Sequence, residues 1–300
     1  MGSLLLYFAD EQAPALRLAE ALGLPAAAIE RHRFPDDELR LRLPFGAGQA
    51  IPRQVLLYRS LDRPNDKLVE LLLVAGEARA LGVQRLLLVA PYLAYMRQDI
   101  AFNPGEVVSQ TIVGAFIAQH FEGLVTVDPH LHRIERLQQA VPLGEAAIAL
   151  SGAPMLARLI AEQRQQPLLL GPDAESAQWI EAAAAAFNFD QGVCHKVRSG
   201  DRQVNIELPA LDFRGRQVVL LDDVASSGRT LAGAASQLLA AGAASVDVAV
   251  THALFAGDAL AVIKAAGVGE VWSTDCIAHP SNAIAMAPLL AAALQPLLSA

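Results

Sequence analysis

Two adjacent carboxylates, Asp222 and Asp223, stand between an aliphatic run and a loop of small residues. The run Val218–Leu221 predicts a buried parallel strand, and open α/β sheets bind ligands at the carboxyl ends of such strands. The loop has little bulk near its backbone N–H groups and opens a helix, whose N-terminus favours an anion. Because the acids would repel a phosphate at close range, we expect them to face a sugar diol or a metal. The segment predicts a phosphosugar site, with an ordinary strand–turn–helix connection as the alternative; the loop positions are Ser226, Ser227, Gly228, Arg229 and Thr230.

Two earlier segments carry residue types that could bind a nucleotide. Arg33–Glu38 joins one aromatic ring to three acids, so it is either a solvated loop whose Phe34 enters the core or a purine site. In a purine site, the ring would stack on the base and a carboxylate would accept a hydrogen bond from an exocyclic amine. Pro91–Asp99 follows a predicted strand, and its Arg97 could stack on a base or bind phosphate. The alternative is a Tyr-rich core loop with a surface arginine.

Two other segments place cations or imidazoles near predicted strand ends. Asp128, His130 and His132 alternate after a strand, and on an extended chain Asp128 and His130 would point the same way. Metal ligation, phosphate contact and plain hydrogen bonding stay open, while zinc is disfavoured because no third soft ligand is nearby.

Lys196 and Arg198 are two residues apart on a predicted strand and should share one face. With the polar stretch that follows, they indicate either a mobile flap with two cations or a solvated basic edge.

The pattern of elements predicts an α/β fold, in which strands alternate with helices around parallel sheets. The predicted strands include Gln54–Tyr58 and Val193–Lys196. The predicted helices include Asp66–Ala80, with Leu72 on its apolar side, and Ala283–Leu298. A coarse echo between residues 86–92 and 218–224 indicates two similar halves, only the second of which keeps the acid–phosphate loop. We therefore predict two domains, residues 1–146 and residues 147–300.

Bulk composition excludes several function classes. The net charge of −8 makes nucleic acid and an acidic membrane unexpected partners. The two cysteines form no CxxC pair, which argues against a disulfide framework and fits a reducing cytosol. No secretion signal or membrane-spanning run is evident, so a cytoplasmic protein is expected.

Taken in order, these segments resemble ribose-phosphate diphosphokinases (phosphoribosyl diphosphate synthetases), nearest the shorter archaeal-type members. The resemblance runs from about Leu4 to Leu298 and implies two phosphoribosyltransferase-like domains, each a parallel sheet flanked by helices. It implies transfer of the β,γ-diphosphate of MgATP to the C1 hydroxyl of ribose 5-phosphate, with ATP as co-substrate and Mg²⁺ as cofactor. It also implies a homo-oligomer, at least a dimer and up to a hexamer.

The same resemblance implies a role for each candidate residue. Catalytic cations would be Lys196 and Arg198. ATP would be bound by Arg97, Gln98 and His130, together with Phe34, Asp36 and Glu38 from a neighbouring subunit. Mg²⁺ would be bound by His130 and Asp173. Ribose 5-phosphate would be bound by Asp222, Asp223, Ser226, Ser227, Gly228, Arg229 and Thr230.

Several positions depart from the family pattern. Ser226 stands where the common bacterial and human form has an acid, and Arg229 replaces a usual glycine. Asp37 also replaces a glycine, and Ala174–Trp179 lacks the usual Gly-Gly pair followed by a basic residue. Two alternatives therefore stay open: a type I phosphoribosyltransferase, for which the loop alone fits equally well, and a non-catalytic subunit associated with a synthetase.

Overall fold

A computed structural model of the chain describes residues 2–46, 48–199 and 203–299, with the backbone alone at 196–199 and 203–205. The helices are α1 (Gln12–Leu22), α2 (Pro64–Ala80), α3 (Ser109–His120), α4 (Ala153–Gln163), α5 (Ala177–Phe187), α6 (Arg229–Ala240), α7 (Ala259–Ala265) and α8 (Ala287–Ser299). The strands are β1 (Ser3–Phe8), β2 (Ala26–Arg33), β3 (Leu39–Arg42), β4 (Gln54–Tyr58), β5 (Arg85–Val89), β6 (Gly123–Val127), β7 (Ala147–Leu150), β8 (Leu168–Gly171), β9 (Asp190–Val193), β10 (His195–Ser199), β11 (Gln203–Glu207), β12 (Gln217–Ala225), β13 (Ser245–Ala253), β14 (Val271–Thr274) and β15 (Asn282–Ile284).

The chain folds as two compact units, and the first comprises Met1–Leu150 and Met286–Ala300. Its sheet has seven strands in the order β3-β2-β1-β4-β5-β6-β7. All neighbours are parallel except β2 and β3, which form an antiparallel hairpin. Both β4 and β6 are buried at every residue, which explains why their sequences are mostly apolar. Because β4, β5 and β6 run parallel, the loops that follow them leave from one edge of this sheet.

The second unit comprises Ser151–Ala285 and contains a six-stranded sheet in the order β15-β14-β13-β12-β8-β9. Its neighbouring strands are all parallel, while β10 and β11 form a separate antiparallel pair. The loop after β8 and the end of β12 therefore lie side by side at one edge. The predicted α/β class, with parallel sheets flanked by helices, is confirmed.

The C-terminal helix α8 belongs to the first unit, whereas we predicted it within residues 147–300. It packs on α1 and β6, and the Arg85 guanidinium donates to the carbonyl oxygen of Leu297 at 2.6 Å. The first unit also extends past residue 146, because β7 pairs in parallel with β6. Apolar periodicity predicts the C-terminal helix but does not indicate which of the two sheets that helix covers.

Three local predictions also differ from the structure. The predicted strand Val193–Lys196 is broken at Cys194, whose N–H donates to the carbonyl of Gly171 at 2.8 Å before β10 turns to pair with β11. The predicted helix Ala283–Leu298 begins only at Ala287, after the short strand β15. Leu72 is 44% exposed, because α2 instead buries Lys67 and Glu70 in ion pairs. None of the described helices combines the length and apolar character needed to cross a bilayer.

Candidate active site

The acid pair lies inside a strand, not after one. Strand β12 continues to Ala225, because its pairing with β13 extends to that residue. Asp223 is 3% exposed and Asp222 is partly exposed. The N–H of Asp223 donates to Oδ1 of Asp222 at 3.0 Å, so the backbone orients the more accessible carboxylate.

Negative charge accumulates at this edge of the second sheet. Desolvation, followed by the neighbouring carboxylates of Asp223 and Asp173, raises the pKa of Asp222 well above its ordinary value. A site that holds several carboxylates close together is suited to a hard divalent ion or to a sugar diol. The donor chemistry of these three acids therefore fits Mg²⁺.

The loop after β12 presents a helix N-terminus without a side-chain cap. Gly228 is the N-cap residue of α6 and has a φ of 69°. A Cβ on Gly228 would lie 2.8 Å from Cδ1 of Ile263 and 3.0 Å from the carbonyl oxygen of Ala259. Glycine is therefore required both by the backbone conformation and by the packing. With no side chain at the cap, the first N–H groups of α6 are available to an anion.

The other loop positions are accessible to a ligand. Ser227 and Arg229 are exposed, and Ser226 and Thr230 are partly exposed. The loop is held from the segment after β13, where the N–H of Ala256 donates to the carbonyl of Ser226 at 2.9 Å. The predicted phosphate-binding residues thus begin where β12 ends, two residues beyond the acid pair.

The stretch after β8 forms a capped turn in place of the family's Gly-Gly pair. Oδ1 of Asp173 accepts from the N–H of Glu175 at 3.0 Å, and the Ser176 hydroxyl donates to the Asp173 carbonyl at 2.6 Å. Ser176 is fully buried, whereas Glu175 is exposed. A Cβ on Gly171 would lie 2.1 Å from the Ser176 hydroxyl oxygen, so these two positions are packed together. This turn keeps the Asp173 carboxylate close enough to the acid pair to raise the pKa of Asp222.

In the first unit, the loop after β5 holds Arg97 by its backbone. The side-chain amide of Gln110 donates to the Met96 carbonyl at 3.1 Å, and its backbone N–H donates to the Gln98 carbonyl at 3.2 Å. Gln110 is 2% exposed, while Arg97 itself is exposed. A buried residue of α3 thus fixes the carbonyls before and after Arg97 and leaves the guanidinium accessible.

The loop after β6 is not extended as the sequence predicts. Asp128 has a φ of 37° and donates its N–H to the Leu150 carbonyl at 2.8 Å. The backbone therefore turns directly after β6, and the alternate-face argument for Asp128 and His130 does not hold. The rings of His130 and His132 meet edge to face, with centroids 3.7 Å apart and their Nε2 atoms in contact.

The segment with Phe34 forms a tight turn between β2 and β3. The N–H of Phe34 donates to the Glu38 carbonyl at 2.9 Å, and the N–H of Asp37 donates to the Phe34 carbonyl at 3.0 Å. Phe34 is 38% exposed, with His32 edge-on to its ring, and Asp36 and Glu38 are exposed. The aromatic ring is thus presented at the surface and is not a core plug.

The predicted catalytic cations lie on β10, where Lys196 pairs with Ile206 and Arg198 with Val204. Their side chains, and all of residues 200–202, lie outside the described part of the structure.

Sequence reasoning missed a buried charged cluster in the first unit. Arg59 follows β4, is 1% exposed, and pairs with Glu70 at 2.5 Å and Glu11 at 3.1 Å. Lys67 bonds to Glu11 at 3.2 Å and to the Ser60 carbonyl at 2.7 Å. An arginine directly after a predicted buried strand was the available signal. The cluster fixes the start of α2 against β4.

Comparisons with known proteins match both halves of the chain. Residues 5–120 match a family model described as the N-terminal domain of ribose phosphate pyrophosphokinase, and residues 145–264 match a phosphoribosyl transferase domain. The chain is 32% identical to the ribose-phosphate pyrophosphokinase of Methanopyrus kandleri over 94% of each chain. It is 33% identical to that of Saccharolobus solfataricus over 87% of this chain and 88% of the relative. The phosphoribosylpyrophosphate synthetase of Mycobacterium smegmatis shares the fold, with a TM-score of 0.82 at 21% identity over 100% of this chain and 99% of that one.

Proposed function

The chain belongs to the ribose-phosphate pyrophosphokinase family, and on that premise we propose that it makes phosphoribosyl diphosphate. The C1 hydroxyl of ribose 5-phosphate attacks the β-phosphorus of ATP, the bond from that phosphorus to the α-phosphate oxygen breaks, and AMP leaves. The attacking hydroxyl loses its proton to solvent or to a base. The observation that carries the proposal is the acid pair Asp222–Asp223 near the end of β12, followed after the short loop 226–228 by the uncapped N-terminus of α6.

The second unit is proposed to bind the acceptor sugar. Asp222 and Asp223 would accept hydrogen bonds from the ribose hydroxyls. The 5-phosphate would bind Ser226, Ser227, Gly228, Arg229 and Thr230. Support comes from the accessible hydroxyls and from the N–H groups of α6, which an anion can satisfy.

The first unit is proposed to bind ATP. Arg97 and Gln98 would contact the nucleotide from a loop that Gln110 holds in place. His130 would contact its phosphates. Phe34, Asp36 and Glu38 would bind the adenine of a neighbouring subunit, and the surface position of the Phe34 ring supports such sharing. We therefore propose a homo-oligomer, at least a dimer.

Charge neutralisation is proposed to supply much of the catalysis, because phosphoryl transfers depend mainly on positioning and electrostatics. Lys196 and Arg198 would stabilise negative charge on the transferring oxygens when β10 and β11 approach the substrates. Mg²⁺, when bound, would act as a Lewis acid and template for the ATP phosphates. Asp173 and the acid pair offer the oxygen ligands that such an ion prefers, and His130 would be a further ligand.

A reducing, cytoplasmic location is part of the proposal. Cys194 and Cys276 are both buried and not joined in a disulfide, and burial raises the pKa of the Cys194 thiol to about 11. A buried thiol with a raised pKa is unreactive, which is consistent with a reducing compartment.

Nucleotide analysis tests the proposed function. The purified protein is incubated with ATP, Mg²⁺ and ribose 5-phosphate, and the nucleotides are separated by ion-exchange chromatography. The proposal predicts AMP formation that requires ribose 5-phosphate and is lost in the variant Asp222→Asn/Asp223→Asn. ADP would indicate a single-phosphate kinase. A folded wild-type protein that forms no AMP would favour the non-catalytic alternative.

A further inference from the structure

An ion pair between a buried carboxylate and a half-exposed arginine joins two loops at one edge of the first unit's sheet. The Asp99 side chain is 2% exposed, and its Oδ1 accepts a hydrogen bond of 2.6 Å from Nη1 of Arg133. The Arg133 side chain is 48% exposed, and its guanidinium lies 5.7 Å from the centroid of the Phe102 ring. Arg133, in the loop after β6, therefore contacts two residues of the loop after β5.

Each end of this pair is close in sequence to a residue proposed to bind ATP. Asp99 is two residues after Arg97, and Arg133 is three residues after His130. Gln110 fixes the backbone around Arg97 to α3, but among the described residues it makes no hydrogen bond to the loop of His130. The Asp99–Arg133 pair adds a side-chain link between the two loops.

The charge on Asp99 makes Arg133 a determinant of loop conformation. Oδ2 of Asp99 is buried and has no hydrogen-bond partner among the described residues. A buried carboxylate is costly unless its charge is paired, and removal of the partner leaves that cost uncompensated. Without Arg133, the loop after β5 would have to rearrange so that water reaches Asp99.

We propose that the Asp99–Arg133 pair positions Arg97 and His130 for ATP without touching the nucleotide. This inference rests on the proposed function, since that function makes both residues part of one nucleotide site. Arg133 is thus a positioning residue, and its loss affects ATP more than ribose 5-phosphate, whose proposed ligands lie in the second unit.

Steady-state kinetics of four variants test the pair: Arg133→Gln, Asp99→Asn, the double variant, and the control Arg136→Gln. Arg136 is an exposed arginine of the same loop for which no ion pair exists in the described part of the chain. Loss of an orienting partner should raise the KM for ATP about tenfold in Arg133→Gln and leave the KM for ribose 5-phosphate nearly unchanged. The double variant should be no worse than the worse single variant, because both substitutions remove one interaction. The control should match wild type.

Hydrogen exchange of the ligand-free protein supplies a readout independent of catalysis. In Arg133→Gln, the backbone amides of residues 97–103 should exchange faster than in wild type, while the exchange rates in β5 and β6 stay unchanged. Unchanged exchange in that loop, additive effects in the double variant, or an equal rise in both KM values would overturn the proposal. If wild type makes no phosphoribosyl diphosphate, the proposed function fails, and the exchange result still decides whether the pair orders the loop.

Discussion

Arg33 donates to the carboxylate of Asp37 at 3.3 Å across a turn in which Asp37 has a φ of 70°. The same guanidinium donates to Asp66 at 2.8 Å, which ties the turn to the first part of α2. The family usually has glycine at the position of Asp37, and the turn keeps the left-handed backbone that glycine adopts easily. Aspartate tolerates that conformation better than most residues, and here its carboxylate also gains a partner.

This arrangement predicts different outcomes for two substitutions of Asp37. Asp37→Ala should destabilise the protein by about 1 kcal/mol. Alanine is disfavoured in the left-handed backbone conformation, and the substitution also removes the ion pair with Arg33. Asp37→Gly should change stability by less than about 0.5 kcal/mol, since relief of strain offsets the loss of an exposed pair. Urea unfolding of both variants checks the difference; equal stabilities would show that the turn imposes no such conformation.

Gly228→Ala should damage both folding and sugar binding. The new Cβ would meet Ile263 and Ala259 at a positive φ, at a cost of about 1–3 kcal/mol. Movement of the loop should also raise the KM for ribose 5-phosphate. Gly76→Ala is the matched control, because Gly76 lies within α2 with open space around it, and that variant should gain up to about 1 kcal/mol. A Gly228→Ala protein as stable as wild type would contradict the packing described for the loop.

Asp222→Asn should stabilise the metal-free protein at alkaline pH. Because the pKa of Asp222 is raised from its ordinary 3.8, the folded state keeps a proton that the unfolded state releases, and stability falls as pH rises through that window. Asparagine mimics the protonated acid, so the gain in Tm should be negligible near pH 4 and about 2–4 °C near pH 8. Added Mg²⁺ should raise the Tm of wild type more than that of the variant. Thermal scans in which the variant melts lower at pH 8 would contradict the raised pKa that burial and the neighbouring carboxylates give Asp222.

Lys196→Ala should lower kcat by about 10²–10³, the range expected when one preorganised charge-stabilising donor is lost. The KM for both substrates should change little, because the proposed contact forms with the transferring oxygens and not with the ground state. Lys264→Ala, which removes an exposed lysine of α7, serves as the control. A near-normal kcat in Lys196→Ala would remove that residue from the catalytic assignment.

The central features of both sheets could be predicted because buried parallel strands leave long apolar runs. Gln54–Tyr58 appears in the structure with the bounds predicted from sequence. The hairpin strand β2 could not be predicted in this way, since three alanines and four polar residues surround its one large apolar residue, Ile29. The extension of β12 through Asp222 and Asp223 was missed for a related reason: pairing with β13 sets the strand length, whereas polarity alone indicated a loop.

The candidate site could be predicted where its residues are adjacent in the sequence, as in the loop from Ser226 to Thr230. It was not predictable where the supporting contact comes from elsewhere in the chain. Gln110 and Arg133 show no pattern that links them to Arg97 or Asp99, because those contacts form only when α3 and the loop after β6 fold back on the loop after β5. The position of α8 on the first unit has the same origin.

Mass spectrometry with isotopically labelled ATP tests the central claim most directly. ATP carrying ¹⁸O in the nonbridging positions of both its β- and γ-phosphates is incubated with the protein, Mg²⁺ and ribose 5-phosphate. We predict that the sugar product gains both labelled phosphates as one diphosphate and that the nucleotide product is unlabelled AMP. Labelled ADP, with a sugar that gains only the γ-phosphate, would contradict the proposed attack at the β-phosphorus.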